Sequence, residues 1–417
     1  MHELLATLAD LARLRARDEP IVSLHLDVRW SDEQQRERVR LFVQEGARRS
    51  LAHYLPESPG LGGLERTLER VQAYVSGLVQ RAHDEDRGGL ALFACEALGL
   101  WRARLFRRPL PNALRLDAIP HLGALARLAD DLDPAVVAVA RQDGADVYGV
   151  SLGDLAAEAS LHGFVPRNEE DEFNPGAARH GRFFERVEKD DRHRLAWVRR
   201  NLRASAGEVT RRFEERPGTA VVLVGTPERV AELERELPER VRVAVIARLA
   251  RPRAWESGAG ARRVGVLAGA AEAVACRERE RAARRVDAVV GEALRGGQGV
   301  LGPADVVDAA NQGRIRRLVL EEDFQRPGWR CERCGALGAS NGHERCGYCG
   351  EPAYLANDLG QELVARTIAE GGDVEVVAHT NKLHSYRGVA AFLRQTGATG
   401  LKGAPPPWPT APGASQG

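Results

Sequence analysis

Lysine and methionine are nearly missing from this sequence of 417 residues. Only Lys189, Lys382 and Lys402 among the 60 basic residues are lysines, and the chain has a single methionine. Together with 43 glycines, this composition is typical of a GC-rich genome. Arginine-rich segments are therefore weaker evidence of RNA binding here than in most proteins. The formal net charge is only +1, so no global basic field marks a nucleic-acid partner.

Long apolar runs are missing as well. No run approaches the roughly 18 residues that span a bilayer. The amphipathic pattern of residues 1–13 lacks the basic and apolar segments of a signal peptide. Both absences predict a soluble, cytoplasmic protein.

Four of the six cysteines fall in one short segment, which argues against a disulfide framework. The other two, Cys95 and Cys276, have apolar neighbours and are predicted to be inert core residues.

The four clustered cysteines form two CxxC pairs. Cys331 and Cys334 are separated by eleven residues from Cys346 and Cys349. Each pair can aim two thiolates at one tetrahedral ion, and the glycine after each pair permits a tight turn. Two disulfides or a redox CxxC are the alternatives, which the expected compartment and the tandem spacing disfavour. We predict a structural Zn²⁺ site at these four cysteines, with His343 outside the ligand set.

The tripeptide Gly296-Gly297-Gln298 follows a long helical pattern. Release factors hydrolyse peptidyl-tRNA with such a GGQ tripeptide, so it is a candidate catalytic motif. The alternative is that the two glycines end a helix and Gln298 is incidental. The Gly-Pro helix start that follows favours this alternative. We therefore predict no catalytic residue in this chain.

Hydrophobic periodicity predicts an α/β protein with three domains. The predicted domains are an N-terminal α/β domain at 1–133, a middle domain with a mixed sheet at 134–262, a C-terminal domain at 263–400 with a zinc ribbon at 329–352, and a disordered tail at 401–417. The middle domain includes a polar loop, Val165–Gly181, with the acidic run Glu169–Glu172, and a long arginine-rich helix. In the C-terminal domain we predict a strand over Asp373–His379 and a helix over Val389–Gln395.

Several segments resemble archaeo-eukaryotic class-one release factors and Pelota. Gly299–Phe324 looks like their third domain, in which a zinc mini-domain follows a loop, a helix and a strand. Arg387–Arg394 is similar to the closing signature, with Arg387 in place of its first glycine. Gly88–Leu128 resembles the first domain of the bacterial branch, and Ala178–Arg200 resembles the stretch around GGQ in the second. The resemblance implies an RNase H-like middle domain and a C-terminal α/β sandwich of the release-factor domain-three type.

Two release-factor motifs are missing from their expected places. His180-Gly181-Arg182 is followed by Phe183 instead of GGQ, and Arg48–Gly63 lacks the Asn-Ile-Lys-Ser stop-codon motif. The resemblance thus implies a monomer that binds rRNA in the ribosomal A site without hydrolysing peptidyl-tRNA. Such a protein would be a rescue factor or a Balon-like hibernation factor, with a translational GTPase as a candidate second partner.

The long helix of the middle domain is the predicted RNA-binding surface. It carries arginine on more than one face with Trp197 interleaved, which suits phosphate and stacking contacts. The predicted RNA-binding residues are Arg182, Arg192, Arg194, Arg199, Arg200, Arg203 and Arg211. Two other hypotheses stay open. One is a peptidyl-tRNA hydrolase that uses the 165–181 loop or Gln298, and the other is a stress-linked adaptor whose zinc ribbon binds a protein.

Overall fold

The described part of the chain forms two compact units. The computed structural model describes residues 2–30, 32–52, 59–80, 88–106, 108–130, 134–141, 144–151, 154–162, 180–216, 218–250, 259–340 and 345–394. One unit combines Met1–Asp131 with Arg279–Gly417, and the other is Leu132–Glu278. The predicted α/β class is confirmed, whereas the three domain boundaries stay a prediction. The acidic run 169–172, His343 and the tail at 401–417 lie outside the described residues.

The N-terminal segment of the first unit is an antiparallel sheet with helices. Its elements are α1 (His2–Ala12), β1 (Ile21–Asp27), α2 (Glu33–Leu51), α3 (Leu61–Val79), β2 (Gly89–Cys95), β3 (Leu100–Phe106), β4 (Ala113–Asp117) and α4 (Gly123–Asp130). The strand order is β3-β2-β1-β4 with antiparallel neighbours. Alternate side chains of β1 and β2, among them Leu24 and Leu92, pack with Val43 of α2 and Val71 of α3. The amphipathic helices therefore cover one face of this sheet.

The second unit is built on a mixed five-stranded sheet. Its elements are β5 (Ala135–Ala140), β6 (Gly144–Ser151), β7 (Asp154–His162), α5 (His180–Glu214), β8 (Ala220–Val224), α6 (Pro227–Glu236), α7 (Glu239–Arg242), β9 (Val245–Leu249) and the first part of α8 (Ala259–Leu294). The order is β7-β6-β5-β8-β9, with β5 to β7 antiparallel and β8 and β9 parallel to β5. Leu202 of α5 packs on one face with Leu223, and Ala270 of α8 packs on the other with Val222. This confirms the predicted mixed sheet flanked by helices.

The C-terminal segment of the first unit is a sandwich with a small ribbon. Its elements are the end of α8, β10 (Gly299–Leu301), α9 (Gly302–Asn311), β11 (Ile315–Glu321), β12 (Gly328–Cys331), β13 (Leu337–Gly338), β14 (Ala353–Ala356), α10 (Leu359–Ala369), β15 (Asp373–Val377), α11 (Asn381–His384) and β16 (Val389–Leu393). The main sheet has the order β10-β16-β11-β15, and the ribbon has the order β13-β12-β14. Val289 of α8 packs on the main sheet with Val319 and Ala390.

Residues 389–393 form a strand, so the predicted helix over Val389–Gln395 is wrong. The strand β16 lies between β10 and β11, and its first three residues have no exposed surface. A short apolar run can form either a helix or a strand. Here hydrogen bonds to β10 and β11 stabilise the strand. The predicted strand over Asp373–His379 ends earlier, at Val377, which leaves His379 beyond β15.

The two isolated cysteines differ in their surroundings. Cys95 is buried as predicted, and burial raises the pKa of its thiol to about 11. Cys276 is exposed, so the prediction of a core position is wrong for this residue. It lies on α8 two residues after the buried Val274, and such residues do not share a helix face. None of the helices in the described ranges has the length and apolarity needed to cross a membrane.

Buried polar contacts join the N-terminal and C-terminal segments of the first unit. Arg15 donates a hydrogen bond to Glu362 of α10 over 3.1 Å, and Arg330 of β12 donates to the same carboxylate over 2.7 Å. The N–H of Gly123, at the start of α4, donates to the side-chain oxygen of Gln361 over 3.0 Å. The ribbon strand β12 and the segment that follows α1 therefore share one buried carboxylate on α10.

Candidate functional site

The two CxxC pairs adopt the same local turn. The N–H of Gly335 donates to the carbonyl of Cys331 over 2.9 Å, and the N–H of Gly350 donates to the carbonyl of Cys346 over 2.9 Å. Both glycines have positive φ, +70° and +76°, which side chains other than glycine adopt only with strain. The N–H of Tyr348 also donates to the sulfur of Cys346 over 3.4 Å. Each pair is thus a knuckle that turns its two sulfurs to one side.

The four sulfurs form one compact cluster. The Sγ atoms of Cys331 and Cys349 are 3.4 Å apart, and those of Cys334 and Cys346 are 3.5 Å apart. Ligand atoms of all four cysteines lie within 4.8 Å of one another. These separations are well above the S–S bond length of about 2.05 Å. Both the 3.4 Å and the 3.5 Å distance link a cysteine of one CxxC pair to a cysteine of the other. The arrangement therefore favours neither two disulfides nor a redox pair within one CxxC.

The donor set of this cluster fits a metal ion. A tetrahedral Zn²⁺ with Zn–S bonds of about 2.3 Å places its sulfurs about 3.8 Å apart, close to the observed distances. A backbone hydrogen bond from Glu351 lowers the pKa of Cys349 to about 7, which favours the thiolate that metals bind. Burial raises the pKa of Cys331 and Cys334, so a cation is needed to stabilise their thiolates. Four sulfur ligands would leave no open position for a catalytic water.

Two buried polar side chains fasten the first knuckle to the helices beneath it. The amide of Asn311, at the end of α9, donates to the carbonyl of Leu337 over 2.8 Å and accepts from its N–H over 2.9 Å. Arg366 of α10 donates to the carbonyl of Gly335 over 2.9 Å and to that of Ala310 over 3.1 Å. Sequence analysis did not single out these two residues, because their partners are backbone atoms distant in the chain.

The tripeptide Gly296-Gly297-Gln298 forms the C-terminal cap of α8. Gly296 has a φ of +67°. Its N–H donates to the carbonyl of Ala293 over 3.1 Å, and the N–H of Gly297 donates to that of Glu292 over 2.8 Å. These are the two bonds of a Schellman motif. The backbone N–H of Gln298 donates to the Glu292 carboxylate over 3.2 Å. The amide that would position a water in a GGQ mechanism is therefore already engaged within the fold.

The predicted RNA-binding arginines all lie on α5, but several have acidic partners. Arg203 pairs with Glu236 over 3.0 Å, and Arg211 pairs with Glu208 over 2.7 Å and also with Glu215. The hydrogen bond from Arg211 lowers the pKa of Glu208 to about 2, so this carboxylate stays charged at neutral pH. The side chains of three other predicted residues lie outside the described part: Arg182, Arg192 and Arg194.

Arg199 and Arg200 are exposed and have no ion pair or hydrogen bond with any residue that the structure describes. The guanidinium carbon of Arg200 lies 5.7 Å from the ring centroid of Trp197. The Trp197 side chain is unusually accessible for a tryptophan, at 37%. Trp197 and Arg200 lie three residues apart on one face of α5 and combine an aromatic ring with a guanidinium group, which suits RNA, whereas Arg199 projects from another side of the same helix. We call these three exposed residues the α5 patch.

The chain has sequence similarity to one protein family. Residues 120–275 match the family model of bacterial archaeo-eukaryotic release factor family 10. The match includes α5 and the mixed sheet but covers less than half of the chain. It does not extend to Gly299–Phe324 or Arg387–Arg394, where the resemblance of the C-terminal domain stays a prediction. A search of curated proteins finds no significant match.

Solved structures with similar folds include release factors and Pelota proteins. The archaeal translation termination factor aRF1 is 16% identical, with 94% of this chain and 98% of that chain covered and a TM-score of 0.24. Pelota from Archaeoglobus fulgidus is 14% identical, with 74% and 79% covered and a TM-score of 0.33. Dom34 from S. cerevisiae is 10% identical, with 71% and 74% covered and a TM-score of 0.36.

These TM-scores are too low to support any inference about function. The family model is the stronger finding, because it matches the sequence of the unit that carries the mixed sheet and the α5 patch. Residues 120–275 of this chain are thus similar in sequence to bacterial archaeo-eukaryotic release factor family 10.

Proposed function

We propose that this protein binds the ribosome in the A site as a non-hydrolytic factor of the hibernation or rescue type. The α5 patch supports the proposal most directly, because it lies inside the region that matches the release-factor family. Free guanidinium groups suit contacts with phosphate oxygens, and an exposed indole suits stacking on an unpaired base. In this proposal Arg199, Arg200 and Trp197 contact rRNA, whereas the paired Arg203 and Arg211 remain on the protein surface.

The role of the GGQ tripeptide supports a non-hydrolytic function. GGQ occurs once in the sequence, at residues 296–298. There, its glycines cap α8 and the Gln298 amide donates to Glu292. Directing this amide at an ester would require the cap to open.

The four-cysteine cluster is proposed to hold one structural Zn²⁺. Cys331, Cys334, Cys346 and Cys349 would supply all four ligands, and the ion would hold together the two knuckles. Because Asn311 and Arg366 fasten the first knuckle to α9 and α10, the metal would also stabilise the C-terminal segment.

Ribosome co-sedimentation tests the binding proposal. Wild-type protein is expected to pellet with 70S particles, and Arg199→Ala/Arg200→Ala is expected to bind at least about tenfold more weakly, since losing one charged hydrogen bond costs about 1.5 kcal/mol or more. Arg203→Ala/Arg211→Ala is the matched control, because it removes two arginines of the same helix that have acidic partners. Failure of the wild type to bind 70S particles or either subunit would refute the proposal.

Peptide release tests the non-hydrolytic part. Purified protein is expected to release no labelled peptide from peptidyl-tRNA on programmed ribosomes. Release that disappears in Gln298→Ala would instead establish a hydrolase and would show that the α8 cap opens.

A second candidate function, protein docking through the ribbon, has one observation in its favour. Leu355 and Tyr354 of β14 are exposed, with 65% and 49% of their surfaces accessible. A protein partner retained after RNase treatment, and lost with Leu355→Asp, would support an adaptor. Recovery of ribosomal proteins together with that partner would be compatible with the first proposal. In that case we expect the protein partner to be a translational GTPase.

A further inference from the structure

Three ligating side chains converge at one edge of the main sheet of the C-terminal segment, away from the four cysteines. Glu321 is the last residue of β11, His379 lies two residues beyond β15, and His384 ends α11. The strands β11 and β15 pair in parallel, so their carboxyl ends lie at the same edge. One ligand atom from each of the three residues lies within 4.8 Å of the others.

Glu321 is a buried carboxylate that faces both imidazoles. Its side chain is only 2% exposed, and its Oε2 lies 3.4 Å from Nδ1 of His384 and 3.7 Å from Nδ1 of His379. Among the residues that the structure describes, no lysine or arginine pairs with this carboxylate. A buried negative charge without a cation is costly. The position therefore calls for a positive charge located between Glu321 and the two rings.

The surrounding backbone holds Glu321 in place. Its Oε1 accepts a hydrogen bond from the N–H of Thr380 over 2.9 Å, which leaves Oε2 as the oxygen directed at the histidines. On another side, Gly388 has a φ of +78°, and a Cβ there would fall 2.9 Å from Oε2. A carboxylate oriented by a backbone N–H is the kind of support that metal ligands receive from their neighbours.

The distances suit one small cation. Zn²⁺ binds imidazole nitrogen and carboxylate oxygen at about 2.0–2.2 Å, which separates neighbouring tetrahedral ligand atoms by about 3.4 Å. Both observed distances from Glu321 are close to this value. The histidine side chains are 48% and 65% exposed, so an ion can enter from solvent and retain water in its remaining coordination position. Asp323 faces His379 from the outside, with 3.8 Å between Oδ2 and Nδ1.

We propose that Glu321, His379 and His384 bind a divalent transition-metal ion at a second site, distinct from the four-cysteine cluster. Two imidazoles and one carboxylate are the ligand set of ions such as Zn²⁺, Co²⁺ and Fe²⁺. Three protein ligands leave a position open, in contrast to the four thiolates of the ribbon.

Zinc binding by the full-length protein tests this site. The wild type, dialysed against buffer with micromolar Zn²⁺, is expected to retain about two zinc ions per chain, one of them at the second site. His379→Ala and His384→Ala are each expected to retain about one ion fewer. Lys382→Ala is the matched control, because this exposed residue lies between the histidines and pairs with Asp287 instead.

The difference in zinc content between the wild type and a histidine variant measures the second site alone, because the four-cysteine cluster contributes equally to both proteins. Both histidines are exposed, so their replacement is expected to leave the fold intact, which thermal melting of zinc-free protein checks. Co²⁺ titration gives a second measure, since the histidine variants should lose the part of the visible spectrum that comes from nitrogen and oxygen ligands. Equal zinc content in wild type, both histidine variants and Lys382→Ala would overturn the proposal.

Discussion

Arg15 and Glu362 form a hydrogen-bonded ion pair over 3.1 Å between residues that are 347 positions apart in the sequence. The Glu362 side chain is 2% exposed and that of Arg15 18%. Burial lowers the pKa of Arg15 to about 10, so its guanidinium remains charged at neutral pH. Arg330, 9% exposed, donates to the same carboxylate. One glutamate of α10 thus pairs with an arginine after α1 and with another on the ribbon.

Removing Glu362 should destabilise the first unit strongly. Glu362→Ala removes the carboxylate that two largely buried guanidinium groups share, at a cost of about 3–5 kcal/mol. Urea unfolding measures this loss. Glu37→Ala, which breaks an exposed pair with Arg40, is the control and should leave the urea midpoint close to that of the wild type. Similar midpoints for the two variants would show that the buried pair contributes little.

Asn311 should be needed for docking the ribbon. Asn311→Ala leaves the buried N–H and carbonyl of Leu337 without partners, which we expect to cost about 2–3 kcal/mol. The neighbouring exposed Gln312→Ala is the control and should change stability by at most about 0.5 kcal/mol. Thermal melting distinguishes them, and an Asn311→Ala melt that matches wild type would contradict the docking role.

His25 should make stability depend on pH. Its ring lies edge-on to Phe93 at 5.8 Å, and its Nε2 has no hydrogen-bond partner in the described part. Burial, with a smaller effect of His121, lowers its pKa to about 4. The unfolded chain, with a histidine pKa of about 6.5, takes up the proton first as the pH falls. The stability contributed by the neutral ring is therefore complete above about pH 6.5 and is lost progressively toward about pH 4.

Unfolding in urea at two pH values measures this effect. Between about pH 7.5 and pH 5, the free energy of unfolding should fall by about 2 kcal/mol more in the wild type than in His25→Leu. The difference between the two proteins cancels the contributions of other groups. Equal pH dependence in both would show that folding does not lower the pKa of His25.

Cys331 should be required for metal binding by the ribbon. Cys331→Ser is expected to lower the zinc content by about one ion per chain and to lower the melting temperature of the first unit. Cys276→Ser is the matched control, because Cys276 is exposed and outside the cluster. Zinc analysis after gel filtration provides the measurement. Unchanged zinc content in Cys331→Ser would contradict the assignment.

The elements found from sequence are those with a long or regular pattern. The predicted long arginine-rich helix of the middle domain is α5, and the CxxC spacing predicted the four-cysteine cluster, because a knuckle depends on residues close together in the chain. The short strands β4 and β10 were not predicted, since runs of five and three residues carry little periodicity. The helix prediction at β16 is wrong for the same reason, because its five residues are too few to show a period.

The polar contacts between segments could not be predicted from sequence. Arg15 meets Glu362 only because α1 and α10 belong to one unit, and Asn311 recognises backbone atoms that any residue at position 337 would provide. Glu321, His379 and His384 come together through the parallel pairing of β11 and β15. The pairing of Arg203 with Glu236 of α6 likewise depends on the fold. The partners of Arg211, by contrast, lie three and four residues away on the same helix, a spacing that the sequence already shows.

The salt dependence of ribosome affinity tests the proposed function of the α5 patch most directly. Two phosphate contacts contribute about 1.4–1.8 to the slope of log affinity against log salt concentration. Arg199→Ala/Arg200→Ala should therefore bind 70S ribosomes more weakly than wild type and with a slope shallower by about that amount, whereas Arg203→Ala/Arg211→Ala should keep the wild-type slope. Equal affinity and equal slope for wild type and Arg199→Ala/Arg200→Ala would contradict rRNA binding by this patch.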